Sequence, residues 1–363
     1  MKKYIILLFI LVSIVSCKTD DVEKTLVLGY DQEFIHDNTP LQSFANSIEV
    51  IPLQNGNGDA VLSNPEKVVI DDDFYYILDN NRVLCYDLNG NFVRHIGERG
   101  NGSGEYVNIA SFIVSNDTVL LLDSYKNSLL VFCANGKFLY ENKAPDGVLS
   151  NVKDASIEND GSIFMSNYIF KDQNDLYTRW DILSDEVSVV ANAKVQTEDS
   201  KEFVGTHSFC NYDKNIRYIM PFSNYIVSTN SNPIEIRTNQ KVLTENELKN
   251  IHNYSIMTYA NHPEWFSGFC NIFETSHYLF LTFFNLEYTV VDKRQNKCYR
   301  YCYQQNEDSE DFPLLNILAS DKETLIGYVD IEESEELTNV LKKYIKEQDS
   351  VKVNNYLIKY HIN

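Results

Sequence analysis

Residues Val68–Asp79 read VVIDDDFYYILD, and 44 positions later Phe112–Asp123 read FIVSNDTVLLLD. The two stretches align without a gap. Each contains a short apolar strand, a polar turn and a second apolar strand that ends in Leu-Asp, which is the pattern of a β-hairpin. A repeat of this length indicates a fold that is built from similar small units packed side by side.

The similarity continues through a second pair of strands in each repeat. Val83–Val93 (VLCYDLNGNFV) matches Leu129–Leu139 (LLVFCANGKFL). In both segments two strands flank an Asn-Gly pair, Asn89-Gly90 and Asn135-Gly136, which suits a tight hairpin because both residues tolerate positive φ. Each repeat therefore predicts four short strands in up-and-down order, which is one blade of a β-propeller.

Weaker copies of the strand–turn–strand pattern set the number of blades. They occur at Ser156–Ser166, Asn215–Arg237, Ile272–Phe283 and Leu315–Val329. The 262 residues from Val68 to Val329 are filled by six repeats of about 44 residues. We therefore predict an all-β fold, a six-bladed β-propeller.

Two strand-like segments lie outside the six repeats. SIEVIPL at Ser47–Leu53 precedes the first blade, and YLIKYHI at Tyr356–Ile362 ends the sequence. A blade with an unpaired edge invites aggregation. We therefore predict that these N- and C-terminal strands share a blade and close the ring.

Two segments have helical patterns. Thr244-Glu245-Asn246-Glu247 has the spacing of a capping box, which predicts a short helix over Thr244–Ile251. Glu335–Glu347 places apolar residues on one face and predicts a short C-terminal helix before the closing strand. We expect this second helix to pack on the propeller, with binding to a partner as the alternative.

The N-terminus has the features of an export signal. Lys2 and Lys3 precede an apolar run over Tyr4–Leu11, which is too short to span a bilayer and is typical of a secretory signal peptide. Ile14-Val15-Ser16-Cys17 resembles the lipobox of bacterial lipoproteins. That resemblance implies cleavage before Cys17 and a lipid on its sulfur. An ordinary cleaved signal with a chance cysteine is the alternative.

We accordingly divide the chain into a signal peptide (1–16), a lipid-anchored tether (17–43) and a propeller domain (44–363). Lys18-Thr19-Asp20-Asp21 is similar to tags that send lipoproteins of some Gram-negative gut bacteria to the cell surface. The expected location is the outer membrane of the cell envelope, held through the N-terminal lipid. The protein would face either the periplasm or the outside.

Composition excludes one class of partner. The chain has 52 acidic and 31 basic side chains and a net charge of −21. Proteins that bind nucleic acid through its phosphates need clustered Lys and Arg, so we predict no nucleic-acid partner. The 39 Asn and only 10 Ala residues agree with many turns and little helix.

One connector carries a glycine pattern that resembles a phosphate loop. The glycines of Ile96–Tyr106 (IGERGNGSGEY) are Gly97, Gly100, Gly102 and Gly104. A phosphate loop must open a helix, whereas this segment lies between two hairpins. We interpret it as the connector from the outer strand of one blade to the inner strand of the next.

The residues quoted above resemble those of a known family. The segments concerned are Ile48–Leu53 as the first strand, Tyr76-Ile77-Leu78-Asp79 in the first blade, the Asn-Gly hairpins and the connector Ile96–Tyr106. They are similar to segments of six-bladed β-propeller lipoproteins of gut Gram-negative bacteria, which are related to NHL-type propellers. The resemblance implies the fold. It implies little about chemistry, because members of that family mostly lack an assigned activity.

The candidate ligand face follows from propeller topology. Blade-to-blade connectors such as Glu98–Asn108 and the turns between second and third strands meet at one end of the ring, where propellers usually bind ligands. The candidate residues on that face are Arg82, Arg99, Tyr106 and Tyr125.

No motif in the chain identifies a reaction. The seven His are scattered without metal-binding spacings, and no CxxC pair exists, so we predict no catalytic residue, metal site or cofactor. Asp79 and Asp123 recur at one blade position, which predicts that they accept N–H groups of the following turn. The leading hypothesis is a binding or scaffold module for a glycan, a peptide or an envelope protein. The alternative is a metal-dependent lyase or hydrolase at the channel mouth.

Overall fold

The structure is a computed structural model. It describes residues 26–30, 41–170, 173–194, 205, 207–213, 215–251, 261–283, 288–301, 314, 316–331, 344 and 353–363. The predicted signal peptide and Cys17 lie outside these residues. The predicted C-terminal helix Glu335–Glu347 also lies outside them, apart from Tyr344.

Six sheets form the body of the molecule and confirm the predicted six-bladed β-propeller. Two strands precede the first blade, β1 (Leu26–Tyr30) and β2 (Ala45–Pro52). The first blade contains β3 (Pro65–Ile70), β4 (Phe74–Asp79), β5 (Arg82–Asp87) and β6 (Phe92–Ile96). The connector after it contains the short parallel pair β7 (Glu98–Arg99) and β8 (Glu105–Tyr106).

The second and third blades continue the repeat. The second contains β9 (Ile109–Ser115), β10 (Thr118–Asp123), β11 (Ser128–Cys133) and β12 (Phe138–Lys143). The third contains β13 (Val152–Ile157), β14 (Ile163–Asn167), β15 (Asp175–Asp181) and β16 (Glu186–Asn192).

The remaining blades follow the same order, and the strands of the fourth and fifth are shorter. The fourth contains β17 (Phe209–Tyr212), β18 (Asn215–Ile219), β19 (Tyr225–Ser228) and β20 (Ile234–Thr238), followed by helix α1 (Glu245–Lys249). The fifth contains β21 (Asn271–Glu274), β22 (Tyr278–Thr282), β23 (Tyr288–Asp292) and β24 (Lys297–Tyr301). The sixth begins with β25 (Ile317–Ser320) and β26 (Thr324–Asp330), and β27 (Asn355–Ile362) is the last strand of the chain.

The first strand of each blade lies nearest the axis. Apart from the two N-terminal strands β1 and β2, the strands of each blade pair antiparallel in sequence order. First strands of adjacent blades, such as β9 and β13, contact each other. Each first strand begins where the chain arrives from the previous blade and ends at the hairpin to its own second strand. We call these two ends of the ring the connector end and the hairpin end.

The sixth blade closes the ring as predicted. Strand β27 pairs with β26 on one side and with β2 on the other, with Val50 opposite Ile358 and Pro52 opposite Tyr356. The N-terminal strand β2 is therefore the outer strand of the blade that the C-terminal strand completes.

Strand β1 adds a fifth strand to the fourth blade. It runs parallel to β20, with Leu26 beside Ile234 and Tyr30 beside Thr238. Residues 26–30 of the predicted tether (17–43) therefore pair with the propeller. The sequence analysis missed this strand because it has no hairpin partner nearby in the chain.

The hairpin turns differ in one respect from the prediction. In Asn89-Gly90 and Asn135-Gly136 it is the glycine that takes positive φ, +81° and +85°. Two-residue turns with positive φ at both positions occur instead at Asn80-Asn81 and Asn116-Asp117. In those turns the flanking residues pair directly, which requires the primed turn geometry, and Asn and Asp are the residues that tolerate it best after Gly.

Apolar side chains fill the interfaces between adjacent blades. Each of the six interfaces has its own cluster of buried residues. Trp180 between the second and third blades and Phe164 between the third and fourth are fully buried. Because each blade contributes to two clusters, removing one blade would expose apolar surface on both sides.

The capping box is confirmed at the start of α1. The amide N–H of Glu247 donates to Oγ1 of Thr244, and the amide N–H of Thr244 donates to Oε2 of Glu247 at 2.8 Å. Among the described residues, no helix is long and apolar enough to span a bilayer.

Candidate functional site

The loops predicted to form the ligand face do meet at the connector end. The Asn81 side-chain amide donates to the Val107 carbonyl at 3.0 Å, and the Ser124 amide N–H donates to the Asn108 carbonyl at 2.9 Å. The Lys126 ammonium donates to the Glu105 carbonyl at 2.9 Å. Turns between second and third strands therefore hold the connector between the first two blades.

The four candidate ligand residues have different surroundings. Tyr125 is 77% exposed, and Arg99 is also exposed. Arg82 pairs with Asp79 at 2.9 Å and donates to the Val61 carbonyl. Tyr106 is only 4% exposed, because its ring packs in the cluster between the first two blades. Two of the four residues, Arg99 and Tyr125, therefore present exposed side chains at the connector end.

The backbone of the glycine-rich connector lies close to the carboxylate of Glu105. The Gly102 amide N–H donates to Oε2 of Glu105 at 2.7 Å, and a Cβ added at Gly100 would collide with that oxygen. The close approach of the backbone to Glu105 accounts for Gly100 and Gly102, whereas Gly97 and Gly104 have positive φ, +71° and +77°. The interpretation of the segment as a connector agrees with its position between β6 and β9.

The recurring aspartates accept backbone N–H groups, as predicted. Oδ1 of Asp79 accepts from Ser63 and Asn64 at 2.9 and 2.6 Å. Asp123 accepts from Val107 at 2.6 Å in the same way, and also from Lys126 in the turn that follows it. The prediction named only the following turn, whereas Asp79 binds the connector that precedes its blade.

A cavity of about 260 Å³ occupies the channel at the axis. Residues of the innermost strands of all six blades line it. Its lining includes Lys67, Phe112, Asp154, Ser156, His207, Asn211, Phe273, Ser320 and Asp321. The lining takes in the later residues of β3, β9, β13 and β25, so the cavity lies toward the hairpin end. None of the four candidate ligand residues lines it.

A polar cluster contributed by three blades lies at the inner part of this cavity, and two of its three members, Lys67 and Asp154, line it. The Lys67 ammonium donates to Oδ1 of Asp154 at 2.7 Å, to the Ala155 carbonyl at 2.7 Å and to Oγ of Ser111 at 3.1 Å. The Ser111 hydroxyl donates to the same Asp154 oxygen at 2.8 Å. All three ammonium hydrogens of Lys67 are therefore used within the protein.

The members of this cluster occupy one position of the repeat. Lys67, Ser111 and Asp154 are each the third residue of an innermost strand, and they are spaced by 44 and 43 positions. Lys67 and Ser111 directly precede the aligned segments that define the repeat. The repeat period could therefore have identified them, although no motif did.

His207 lies beside the polar cluster and has no matching repeat position. Burial lowers the pKa of its imidazole to about 4, since the protonated ring would lose its hydration. Its ring centroid lies 5.1 Å from that of Phe273, and its Nε2 has no hydrogen-bond partner among the described residues. At neutral pH the cavity therefore contains an uncharged imidazole.

The cavity can offer a ligand both acceptor and donor groups. The carboxylate of Asp154 is balanced by Lys67, and the amide of Asn211 lies at the outer end. No group of three or more His, Cys, Asp or Glu side chains that could hold a metal ion occurs in the described part of the chain.

Comparisons with known proteins agree with the fold. A Bacteroides fragilis protein inferred to be exported superposes with a TM-score of 0.69 at 18% identity, covering 93% of this chain and 99% of its own. A DUF4221 family member from Bacteroides vulgatus gives a TM-score of 0.50 at 10% identity, covering 88% and 97%. No curated protein matches this chain. The family described as "Domain of unknown function (DUF4934)" matches residues 31–359, and the chain belongs to that family.

Proposed function

We propose that this protein is an exported binding module that takes up a polar ligand group in its channel cavity. The observation that carries the proposal is the cavity itself, which is lined by all six blades, among them the Lys67–Asp154 ion pair and His207. Ligand sites are concave, partly apolar and supplied with a few polar groups. The cavity combines the apolar wall of Phe112 and Phe273 with such groups.

The chemistry of the cavity limits the kinds of ligand that it can bind. Lys67 and Asp154 neutralise each other, and His207 is uncharged at neutral pH, so the inner part of the cavity favours an uncharged polar group over an ion. The remaining charge of the lining is the exposed carboxylate of Asp321 at the mouth. Its volume of about 260 Å³ suits a small molecule or the end of a longer chain. A sugar or the side chain of a peptide has this size and polarity, so the module would bind a glycan, a peptide or an exposed loop of an envelope protein.

Export and anchoring complete the proposal. The signal-peptide pattern of residues 1–16 and the description of the Bacteroides fragilis neighbour support an extracytoplasmic location. The lipobox resemblance supports a lipid on Cys17 and attachment to the outer membrane. Replacing Cys17 with Ser should release the protein from the membrane fraction and abolish metabolic labelling with palmitate. Continued labelling of that variant would contradict the anchor.

Calorimetric titration of the purified mature protein with panels of glycans and peptides tests the binding role. In Ser320→Trp, a large ring at the hairpin-end mouth should lower affinity about tenfold or more. In Tyr125→Ala, the change lies at the connector end and should leave affinity unaltered. The reverse pattern would move the site to the connector face. Stoichiometric, tightly held zinc or calcium in the purified protein would favour the metal-dependent lyase or hydrolase instead.

A further inference from the structure

A second and larger cavity lies at the hairpin end, in a groove between the third and fourth blades. Its volume is about 520 Å³, within the range of about 300–1,000 Å³ that ligand sites occupy. It is lined by Glu158, Asn159, Asp160, Arg179, Val190, Asn215, Tyr218, Ser228, Thr229 and Asn230. Seven of these ten side chains are amides, hydroxyls or carboxylates, not counting the phenol of Tyr218.

The charged residues of the groove form a fixed group on the third blade. Arg179 Nε lies 2.6 Å from Oε2 of Glu158, and its guanidinium also pairs with Oδ2 of Asp160. Oδ1 of Asp160 accepts the Ser162 amide N–H at 3.0 Å, which holds the turn in place. One cation faces two anions, so the group has a net charge of −1 and repels phosphate, sulfate and carboxylate ligands.

The uncharged side chains on the fourth blade have capacity for further hydrogen bonds. The Asn215 amide donates to the Asp213 carbonyl at 3.4 Å, and the Asn230 amide donates to Oγ1 of Thr229 at 3.3 Å. Both distances are longer than those of ordinary N–H···O bonds, which are about 2.7–3.2 Å. Closer hydrogen bonds to a ligand could therefore replace them at little cost.

One side of the groove is apolar. Tyr218 packs in the cluster between the third and fourth blades and is only 7% exposed, and half-buried Val190 packs against the same cluster. A ligand in the groove would therefore meet a firm apolar surface on one side and hydrogen-bonding groups on the other.

We propose that this groove binds a neutral oligosaccharide. Each sugar hydroxyl is both a donor and an acceptor, which matches adjacent amide, carboxylate and hydroxyl groups. The C–H faces of sugar rings are apolar and can pack on half-buried Val190 and on the small part of Tyr218 that is exposed. Most of the lining comes from turns and inner strands of the two blades, and only Val190 belongs to an outer strand, β16, so the groove offers little backbone edge to an extended peptide.

The site is separate from the channel cavity, and the inference does not depend on the channel being occupied. The two cavities share none of their lining residues. Variants that alter one of them can therefore leave the other unchanged.

The test titrates the purified mature protein with neutral hexasaccharides of glucose, mannose, galactose and N-acetylglucosamine. At least one of them should bind, and Asn215→Ala and Asn230→Ala should each weaken that binding about fivefold or more, because a ligand hydrogen bond is lost. Asn89→Ala, a matched control in an exposed turn at the same end of the ring, should leave affinity unchanged. Thermal unfolding of each variant confirms that the fold is retained.

Two results would overturn the inference. The first is that no hexasaccharide binds at millimolar concentration. The second is that a hexasaccharide binds with equal affinity to the wild type and to both groove variants. If Ser320→Trp abolishes that binding while the groove variants do not, the sugar occupies the channel. The proposed function then stands and the groove site is wrong.

Discussion

Nζ of Lys67 and Oδ1 of Asp154 lie 2.7 Å apart and join the first blade to the third across the channel. The side chains are 14% and 9% exposed, so water screens this pair only weakly. Taking two such charges out of water costs several kcal/mol for each ion, and the pair needs additional hydrogen bonds to offset that cost. Ser111 and the Ala155 backbone supply them.

Removing one partner of this pair should therefore destabilise the ring strongly. In Asp154→Ala, the Lys67 ammonium would be left in the channel without its counter-charge. We expect the free energy of unfolding to fall by about 3–5 kcal/mol, measured by urea denaturation at neutral pH.

An exposed ion pair at the surface provides the control for this measurement. Lys322 and Asp213 lie 3.7 Å apart with side chains that are 62% and 67% exposed. Lys322→Ala should cost no more than about 1 kcal/mol, because exposed pairs contribute little. If both variants lose the same free energy of unfolding, the ion pair in the channel does not hold the first and third blades together, although it is buried.

His207 should make stability depend on pH. Its folded-state pKa is lowered from 6.5 to about 4, chiefly by burial, while the Asp154 carboxylate opposes that shift and Lys67 and Lys153 add to it. Between these two pH values the unfolded chain binds a proton that the folded chain does not. The contribution of His207 is therefore complete above pH 6.5 and is lost as the pH falls toward 4, by about 3 kcal/mol in total.

Comparison with His207→Phe isolates this effect from other acid-sensitive groups. Phenylalanine has a similar shape, can pack beside Phe273 and does not titrate. The difference in unfolding free energy between wild type and variant should decline as the pH is lowered from 7.5 to 4.5. A difference that stays constant with pH would show that His207 is hydrated in the folded protein.

The sequence predicted the architecture well because hydrophobic alternation and turn residues are local signals. The four-strand repeat, the closing pair of strands and the capping box of Thr244 could all be identified from short segments. The conformation of individual turns was harder to predict from the sequence. The residues of Asn89-Gly90 and of Asn80-Asn81 all permit positive φ. The register of the strands decides that only Asn80-Asn81 adopts positive φ at both of its residues.

The candidate site was harder to predict because it is assembled across blades. The predicted ligand residues lie at the connector end, whereas the two described cavities lie toward the hairpin end. Lys67 and Ser111 could have been found from the repeat, since they sit 44 positions apart beside the aligned segments. His207 could not, because only tertiary packing brings it next to Asp154.

Closure of the ring gives a third prediction. A chain that ends after Val353 lacks β27, so β2 and β26 lose their common partner and the apolar clusters on both sides of the sixth blade lose Ile358 and Leu357. We expect this truncation to give an aggregated protein without cooperative unfolding, as judged by size-exclusion chromatography and near-ultraviolet circular dichroism. Removal of Asn363 alone should leave both measurements close to those of the wild type.

Gly90 and Gly161 provide a matched pair for the last prediction, which concerns how the N-terminal strand β2 is held in place. Both are turn glycines with positive φ, +81° and +87°. A Cβ on Gly90 would collide with the Pro52 carbonyl oxygen of β2, whereas nothing lies within 4 Å of a Cβ on Gly161.

Gly161→Ala should therefore cost only the backbone strain, about 1–2 kcal/mol. Gly90→Ala should cost that strain and also displace the end of β2, just after which the Gln54 amide N–H donates to the Gly90 carbonyl at 2.9 Å. We expect a loss of at least about 3 kcal/mol in urea denaturation for Gly90→Ala. Equal losses of unfolding free energy in the two variants would mean that the turn between β5 and β6 does not hold β2 in place.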